Sequence, residues 1–234
     1  MNIVFDIDDT LYNLMEPFEK AHEELFAGQT DADCESLFMA SRIYSDEAFY
    51  MHEKGMLSAE EEFAYRIRKT YADVGIHVSQ EQVTLFEQRY RYYQKHIHVP
   101  KAIQNILENC RENDVPIAAL TNGKHVNQGK KIGVLQLTRW FEEDRIFISE
   151  DIGYTKPDQR AFFAVQEALQ LDPEKTWFIG DTFEVDVTGA QNAGWHVIWF
   201  NHRRRQMPEG AIRADREVRS AEDLLRVVKE LQGA

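Results

Sequence analysis

Two aspartates stand two residues apart after a short apolar run near the start of the chain, in Ile3-Val4-Phe5-Asp6-Ile7-Asp8-Asp9-Thr10. Such a run is typical of a buried strand, and an extended backbone projects Asp6 and Asp8 from the same face. Carboxylates buried this close together repel each other unless a cation compensates them. An all-oxygen set suits a hard ion such as Mg²⁺. The segment is interpreted as either a metal site or a solvated acidic turn, and its residues alone do not distinguish the two.

Three later segments carry polar side chains where other predicted strands end. Thr121-Asn122-Gly123 follows the second strand, Lys156 lies between the third strand and its helix, and the segment Gly180 to Asp186 follows the fourth strand, with Asp181 and Asp186 as its acids. In open parallel sheets, ligands bind beyond the carboxyl ends of the strands. We therefore expect several carboxylates, one hydroxyl and one lysine to meet in a single crevice.

Each of these segments also has an ordinary interpretation. Asn122-Gly123 favours a tight turn, although a predicted helix follows it rather than a second hairpin strand. A lone lysine such as Lys156 is usually solvated. Asp181 can form a turn, and Asp186 can lie in a first helical turn, where the helix dipole favours acids. Their order and their common position at strand ends favour a functional site.

The elements that must position these residues follow from the apolar patterns. After Pro100, helical patterns alternate with strands at Val115–Leu120, Arg145–Ile148, Thr176–Ile179 and Trp195–Phe200. Strand–helix alternation of this kind predicts a parallel sheet covered on both faces. The fold class predicted is α/β, with a Rossmann-like parallel sheet core and helices on both faces.

About a hundred residues separate the first strand from the next, whereas a crossover needs only a dozen or more. Four amphipathic helices are predicted in between, two of them opened by capping boxes at Ser58 with Glu61 and at Ser79 with Gln82. This segment is best explained as an insertion. We predict a catalytic core of residues 1–13 and 98–234 and a helical domain of residues 14–97.

Composition limits the possible partners. The formal net charge of −13 argues against nucleic acid and anionic membranes. The short basic run 202–205 is interpreted as a solvated loop, and Cys34 and Cys110 lack the spacing of a metal site or a disulfide framework. Neither a signal peptide nor a spanning apolar stretch is recognised. We expect a cytoplasmic protein, monomeric or homodimeric.

The ordered set of motifs resembles the haloacid dehalogenase superfamily of phosphohydrolases, and the resemblance covers nearly the whole chain. Its DxDxT motif is matched by Asp6, Asp8 and Thr10, its second-strand hydroxyl by Thr121, its lysine by Lys156, and its GDxxxxD motif by Gly180, Asp181 and Asp186. The insertion occupies the place of that family's helical cap. The form FDIDDTLY is similar to the segment in 5′-nucleotidases and sugar-phosphate phosphatases of the helical-cap type.

The resemblance implies a role for each matched residue. Asp6 would be the nucleophile that forms an aspartyl phosphate, and Asp8 the general acid and then the base that activates water. Lys156 would neutralise the nucleophile and the phosphoryl oxygens, and Thr121 with the Asn122 backbone amide would bind those oxygens.

The resemblance also implies a Mg²⁺ ion as cofactor. Its ligands would be the carboxylates of Asp6 and Asp181 and the backbone carbonyl of Asp8. Asp186 would either bind the ion itself or contact one of its ligands. Asp9 and Thr10 are expected to hold the turn. The ion would offset the carboxylates and so admit a dianionic phosphate.

Three other functions remain open at this point. Haloacid dehalogenases lack an acid at the position of Asp8, so its presence favours a phosphatase or a phosphomutase, and phosphatases are the larger class. Response-regulator receiver domains also place acids, a Thr and a Lys-Pro at strand ends, but no acidic motif follows their lysine. We expect a Mg²⁺-dependent phosphatase acting on a small phosphorylated metabolite, such as a nucleoside monophosphate or a sugar phosphate.

Overall fold

The computed structural model of the protein describes residues 1–233, apart from the side chain of residue 59. Six parallel strands form one sheet in the order β3-β2-β1-β4-β5-β6. The strands are β1 (Asn2–Phe5), β2 (Ile117–Thr121), β3 (Ile146–Ile148), β4 (Thr176–Gly180), β5 (His196–Phe200) and β6 (Arg216–Val218). The predicted α/β fold with a parallel sheet is confirmed.

The central position of β1 follows from its composition. Ile3, Val4 and Phe5 are at most 1% exposed, as expected for a strand covered on both faces. Phe5 is in register with Ala119 of β2 on one side and Ile179 of β4 on the other. The polar residues that follow β1, β2 and β4 therefore emerge at neighbouring positions on one edge of the sheet.

Six helices accompany the sheet. They are α5 (Lys101–Glu112), α6 (His125–Leu135), α7 (Ser149–Ile152), α8 (Gln159–Leu169), α9 (Thr188–Asn192) and α10 (Ala221–Gln232). The apolar faces of α8 and α9 share one buried cluster with strand residues such as Val4, Leu120 and Phe178. Phe162 lies edge-on to Phe178, with ring centroids 5.2 Å apart. This packing fixes the sheet against its helices.

The chain divides into two compact units, Met1–Asn13 with the chain from His98 onward, and Leu14–Ile97. The unit Leu14–Ile97, called the inserted unit below, contains the helices α1 (Glu16–Phe26), α2 (Cys34–Glu53), α3 (Ala59–Ala72) and α4 (Gln80–Gln94). Both predicted capping boxes are confirmed, at Ser58 and at Ser79. Its core is aromatic, and Phe18, Phe26 and Phe86 are fully buried.

Three small elements depart from the predicted pattern. The strand β6 and the short helix α7 were not predicted, because three- and four-residue segments are too short to show a periodicity. A π-helical turn at Phe183–Val187 precedes α9, where a single helix is predicted. Among the described residues, no helix is both long and apolar enough to cross a membrane.

Candidate active site

A buried lysine joins two aspartates at the carboxyl edge of the sheet. The Lys156 Nζ lies 2.7 Å from Asp6 Oδ1 and 2.7 Å from Asp186 Oδ1. Asp6 follows β1, Lys156 precedes α8, and Asp186 lies in the π-helical turn after β4. The side chains of Lys156 and Asp186 are each 2% exposed. These three sequence-predicted residues therefore form one contact group, shielded from water.

Two threonines lie beside this group, Thr121, which was predicted to belong to the site, and Thr10, which was expected to hold the turn. The Thr10 hydroxyl donates to Asp6 Oδ2 over 3.1 Å, so Thr10 orients the Asp6 carboxylate as well as lying in the turn. Thr121 is 1% exposed, and its Oγ1 has no hydrogen-bond partner in the described part of the chain. A buried hydroxyl without a partner costs about 1–3 kcal/mol. Thr121 therefore holds a donor that a bound ligand could use.

Asp6, Asp181 and Asp186 offer carboxylate oxygens that all lie within 4.8 Å of one another, and all three residues are buried. The segment after β4 supplies two of them, Asp181 and Asp186, and local contacts hold Asp186 in place. Asp186 Oδ2 accepts from the Thr182 backbone N–H over 3.0 Å, and Gly180 leaves the room that Asp186 needs, since a Cβ on Gly180 would come within 2.5 Å of it. Oxygen donors in this number and charge fit a hard divalent ion.

The pKa values of these groups reflect burial and mutual charge. Burial raises the pKa of Asp6 to about 7 against the opposing charge of Lys156. Burial, followed by the charges of Asp186 and Asp6, raises the pKa of Asp181 well above its usual value. Burial opposes protonation of Lys156, but Asp186 and Asp6 outweigh it and raise the pKa of Lys156. When fully ionised, the three carboxylates carry more negative charge than Lys156 alone offsets.

Asp8 lies outside this carboxylate cluster and has its own partners. The Lys131 Nζ lies 2.6 Å from Asp8 Oδ1 and 2.5 Å from Oδ2. Gln128 Nε2 donates to Oδ2 over 3.0 Å, and the Tyr12 hydroxyl donates to Oδ1 over 2.6 Å. Burial would raise the pKa of Asp8, but Lys131 and these hydrogen bonds together lower it.

The side chain of Asn122 has a structural role, separate from the phosphate binding that was predicted for its backbone amide. Asn122 Oδ1 accepts from the Lys156 backbone N–H over 2.9 Å, and its Nδ2 donates to the Lys156 carbonyl over 2.8 Å. This pair of bonds ties the end of β2 to the loop before α8. It thereby fixes the backbone from which Lys156 reaches Asp6.

Comparison with known proteins agrees with this arrangement. The sequence profile of the haloacid dehalogenase-like hydrolases matches residues 1–194. The chain belongs to this family. The resemblance drawn from the sequence motifs is thereby confirmed, and the buried carboxylates and lysine occupy the segments that carried it.

Similar proteins extend over nearly the whole chain. A glyceraldehyde 3-phosphate phosphatase of Methanopyrus kandleri is 27% identical over 98% of this chain and 97% of its own length. The pyrimidine 5′-nucleotidase YjjG of Escherichia coli is 33% identical over 44% of this chain and 46% of its own. The crystal structure of the HAD-hydrolase YfnB from Bacillus subtilis bound to magnesium superposes with a TM-score of 0.68 at 25% identity, covering 97% of each chain. Dehalogenases are also among the similar proteins.

In this haloacid dehalogenase-like hydrolase, the prediction that the basic run 202–205 is a solvated loop is wrong for three of its four residues. The side chain of Arg203 is only 7% exposed, and its Nη2 donates to Asp9 Oδ1 over 2.7 Å. His202 Nε2 lies 2.9 Å from the Asp9 carbonyl oxygen, and Arg205 Nη1 donates to Asp181 Oδ2 over 3.2 Å. Buried carboxylates require cations, and the loop after β5 supplies them. Asp9 is held by these contacts in a left-handed conformation, with φ 63°.

Sequence reasoning missed Gln128 and Lys131 as members of the site. A usable signal was present, because these residues stand three apart on a helix that begins just after the end of β2. Residues at that spacing share one helix face, and β2 is the neighbour of β1 in the sheet. Arg205 gave no comparable signal, since a loop without periodicity does not indicate where its side chains point.

Replacing Lys156 tests the charge balance of the site. We expect Lys156→Met to lower the free energy of unfolding by about 3–5 kcal/mol in metal-free buffer, because it leaves Asp6 and Asp186 buried without their shared cation. Urea unfolding followed by circular dichroism measures this loss. Lys175→Met serves as the control, since the Lys175 side chain is 68% exposed, and a change below about 0.5 kcal/mol is expected there. Equal stabilities of the two variants would contradict the assignment.

Proposed function

We propose that this hydrolase is a Mg²⁺-dependent phosphatase that cleaves small phosphomonoesters through an aspartyl-phosphate intermediate. The observation that carries the proposal is Asp8, a second carboxylate two residues after Asp6 and held by three donors. A halide leaves carbon as a stable anion and needs no proton donor. An alkoxide leaving phosphorus does need one, and Asp8 can supply it.

In the first step, an Asp6 oxygen attacks phosphorus and forms an O–P bond while the ester P–O bond breaks. The departing alkoxide takes the proton of the Asp8 carboxyl group and leaves as an alcohol. This step requires Asp8 to be protonated when the ester is bound, against the effect of Lys131, which lowers the pKa of Asp8 in the free protein. Lys156 and Thr10 hold the Asp6 carboxylate by hydrogen bonds of 2.7 and 3.1 Å. The Thr121 hydroxyl is buried and available to a phosphoryl oxygen, where charge collects in the transition state.

In the second step, water attacks the phosphorus of the aspartyl phosphate. Asp8, now ionised, takes a proton from that water, and the bond between phosphorus and the Asp6 oxygen breaks. Orthophosphate leaves, the Asp6 carboxylate is restored, and Asp8 is again protonated. The same residue thus serves as acid and then as base, and water and the ester are the only reactants consumed.

The cluster of Asp6, Asp181 and Asp186 would hold the Mg²⁺ ion. When bound, the ion supplies positive charge that offsets the carboxylates and polarises the phosphoryl group. The donor set fits such an ion because three buried carboxylates face Lys156 and the more distant Arg205. The Asp8 carboxylate lies outside this cluster and is paired with Lys131. Any contribution of its backbone carbonyl to the metal stays a prediction.

The activities of two kinds of relative support a small phosphorylated metabolite as the substrate. Relatives of this chain act on glyceraldehyde 3-phosphate or are pyrimidine 5′-nucleotidases, and both kinds of substrate carry a phosphate on a small organic group. The alternatives within the family are a phosphomutase, which would return the phosphoryl group to an organic acceptor, and a dehalogenase.

A substrate panel assayed with Mg²⁺ tests the proposal. It contains p-nitrophenyl phosphate, glyceraldehyde 3-phosphate, sugar phosphates, purine and pyrimidine nucleoside monophosphates, and 2-chloropropionate. We expect phosphate release from at least one ester with repeated turnover, and no chloride release. Chloride release without phosphate release would overturn the proposal in favour of a dehalogenase. A stable phosphoprotein that never turns over would overturn it in favour of a receiver module.

A further inference from the structure

We propose that Lys131, together with Gln128, is a positioning residue that holds the Asp8 carboxylate in its working orientation. The inference rests on the proposed function, because it concerns the proton carrier of that reaction. Both Asp8 oxygens are within 2.6 Å of the Lys131 Nζ. Tyr12 adds a second donor to Oδ1 and Gln128 a second donor to Oδ2. A carboxylate has about four lone-pair sites, so these contacts fix both its position and its plane.

Both Gln128 and Lys131 come from the helix α6, which holds them in a fixed position relative to each other. Gln128 and Lys131 lie three residues apart and thus on the same face of α6. Gln128 is 3% exposed, and its Nε2 also donates to the Asn122 carbonyl over 2.8 Å. Since Nε2 has two hydrogens, one bond anchors Gln128 to the end of β2 and the other reaches Asp8. Catalytic groups are held more accurately by helices than by loops.

The glycine after Asn122 is needed for this contact. Gly123 has φ +145°, and a Cβ at this position would come within 2.9 Å of Gln128 Nε2. Because Gly123 has no side chain, the backbone just after β2 leaves room for Gln128. The Gln128 Oε1 is buried and has no partner within residues 1–233, so the amide is oriented by its two donor contacts. Its nitrogen faces Asp8, which is the orientation that a carboxylate requires.

The two reacting carboxylates have separate lysines. Lys156, from the loop before α8, lies against Asp6, and Lys131, from α6, lies against Asp8. The Lys131 and Asp8 side chains are 22% and 24% exposed, so their attraction is screened less than that of a surface pair. Without Lys131, Asp8 would remain tethered by Gln128 and Tyr12 but would lose the donor shared by both its oxygens. We infer that nucleophile and proton carrier are held independently.

The test is the response of Lys131→Met to the leaving group. Nitrophenolate leaves without protonation, whereas the alkoxide of glycerol phosphate needs the Asp8 proton. We expect Lys131→Met to lower kcat on glycerol phosphate about 10²-fold, which is the effect of a small misplacement of a catalytic group. On p-nitrophenyl phosphate, formation of the phosphoenzyme should stay fast while its hydrolysis slows, so a burst of nitrophenol should precede a slow steady rate.

A double substitution separates positioning from a purely structural role. If Lys131 acts through Asp8, adding Lys131→Met to Asp8→Asn should lower kcat no further. Lys130→Met is the matched control, because Lys130 is the exposed neighbour on the same helix, and wild-type rates are expected. Thermal unfolding of every variant by circular dichroism shows that each is folded.

Two results would overturn the inference. One is an equal loss of rate on both esters without a burst in folded Lys131→Met. The other is a loss in the double variant equal to the product of the two single losses. A wild-type protein that hydrolyses neither ester nor any member of the substrate panel would instead refute the proposed function, so the two failures are distinguishable.

Discussion

Asp6→Asn is expected to abolish turnover, with kcat lowered on the order of 10⁴-fold or more, as found when a covalent nucleophile is removed. The amide nitrogen has no lone pair to offer phosphorus, and the amide oxygen is a far weaker nucleophile than a carboxylate oxygen. The side chain keeps its shape, so Lys156 can still donate to the amide oxygen at the place where it now lies 2.7 Å from Oδ1. The amide nitrogen can donate to the Thr10 hydroxyl, which now lies 3.1 Å from Oδ2. Steady-state phosphate release from the best ester of the panel measures the loss.

Two further measurements make this prediction specific. Intact-protein mass spectrometry after rapid acid quenching should detect a covalent phosphate on the wild type and none on Asp6→Asn. Asp144→Asn is the control, because Asp144 is exposed and should retain both rate and phosphoenzyme. A wild-type rate in Asp6→Asn, or a phosphoenzyme that survives the substitution, would end the proposal of Asp6 as nucleophile.

The central part of the candidate site could be predicted from the sequence because parallel sheets impose strong geometric rules. Short apolar runs identified β1, β2 and β4, and their carboxyl ends necessarily share one edge. Asp6 and Asp181 directly follow β1 and β4, and Thr121 is the last residue of β2. Their proximity therefore needed only the strands and their adjacency, without knowledge of loop conformation.

The second layer of contacts could not be predicted in the same way. Lys131 reaches Asp8 from 123 positions away in the chain, and that contact depends on how far α6 is rotated about its axis. Arg203 and Arg205 lie in a loop, where no periodicity fixes the direction of a side chain. Composition alone indicated a solvated basic run, yet Asp9 and Asp181 are buried and attract these cations. The positions of these two arginines thus depend on ion pairs with residues distant in sequence, which the local sequence pattern does not reveal.

The turn after β4 shows a different limit. The sequence predicts one helix from Val185 to Ala193, but the chain first forms the π-helical turn Phe183–Val187. Asp186 lies within this turn, with both oxygens engaged, one by Lys156 and one by the Thr182 backbone N–H. π-Helical turns occur frequently at functional sites. Within this turn, Asp186 contacts Lys156, which comes from another loop. Helical periodicity in the sequence carries no information about such a contact.

Removal of Mg²⁺ is expected to abolish activity reversibly. Asp6, Asp181 and Asp186 place their oxygens within 4.8 Å of one another, and without the ion this cluster repels the dianionic phosphate as well as itself. Treatment with EDTA should eliminate phosphate release, and excess Mg²⁺ should restore it. The ion should also raise Tm, since an ion at a hundred times its Kd stabilises the folded state by about 2.7 kcal/mol. Differential scanning calorimetry with and without Mg²⁺ measures this shift.

Asp181→Asn provides the matched test of where the ion binds. The amide keeps the shape of the side chain but removes one charge from the cluster, so the Mg²⁺-dependent rise in Tm should shrink or vanish. Repulsion between the buried carboxylates also falls, so the metal-free variant should unfold at a higher temperature than the metal-free wild type. A structural carboxylate that merely pairs with Arg205 would give the opposite result, with lower stability under both conditions.

Full activity after chelation, with metal loss verified by elemental analysis, would exclude the ion from the reaction.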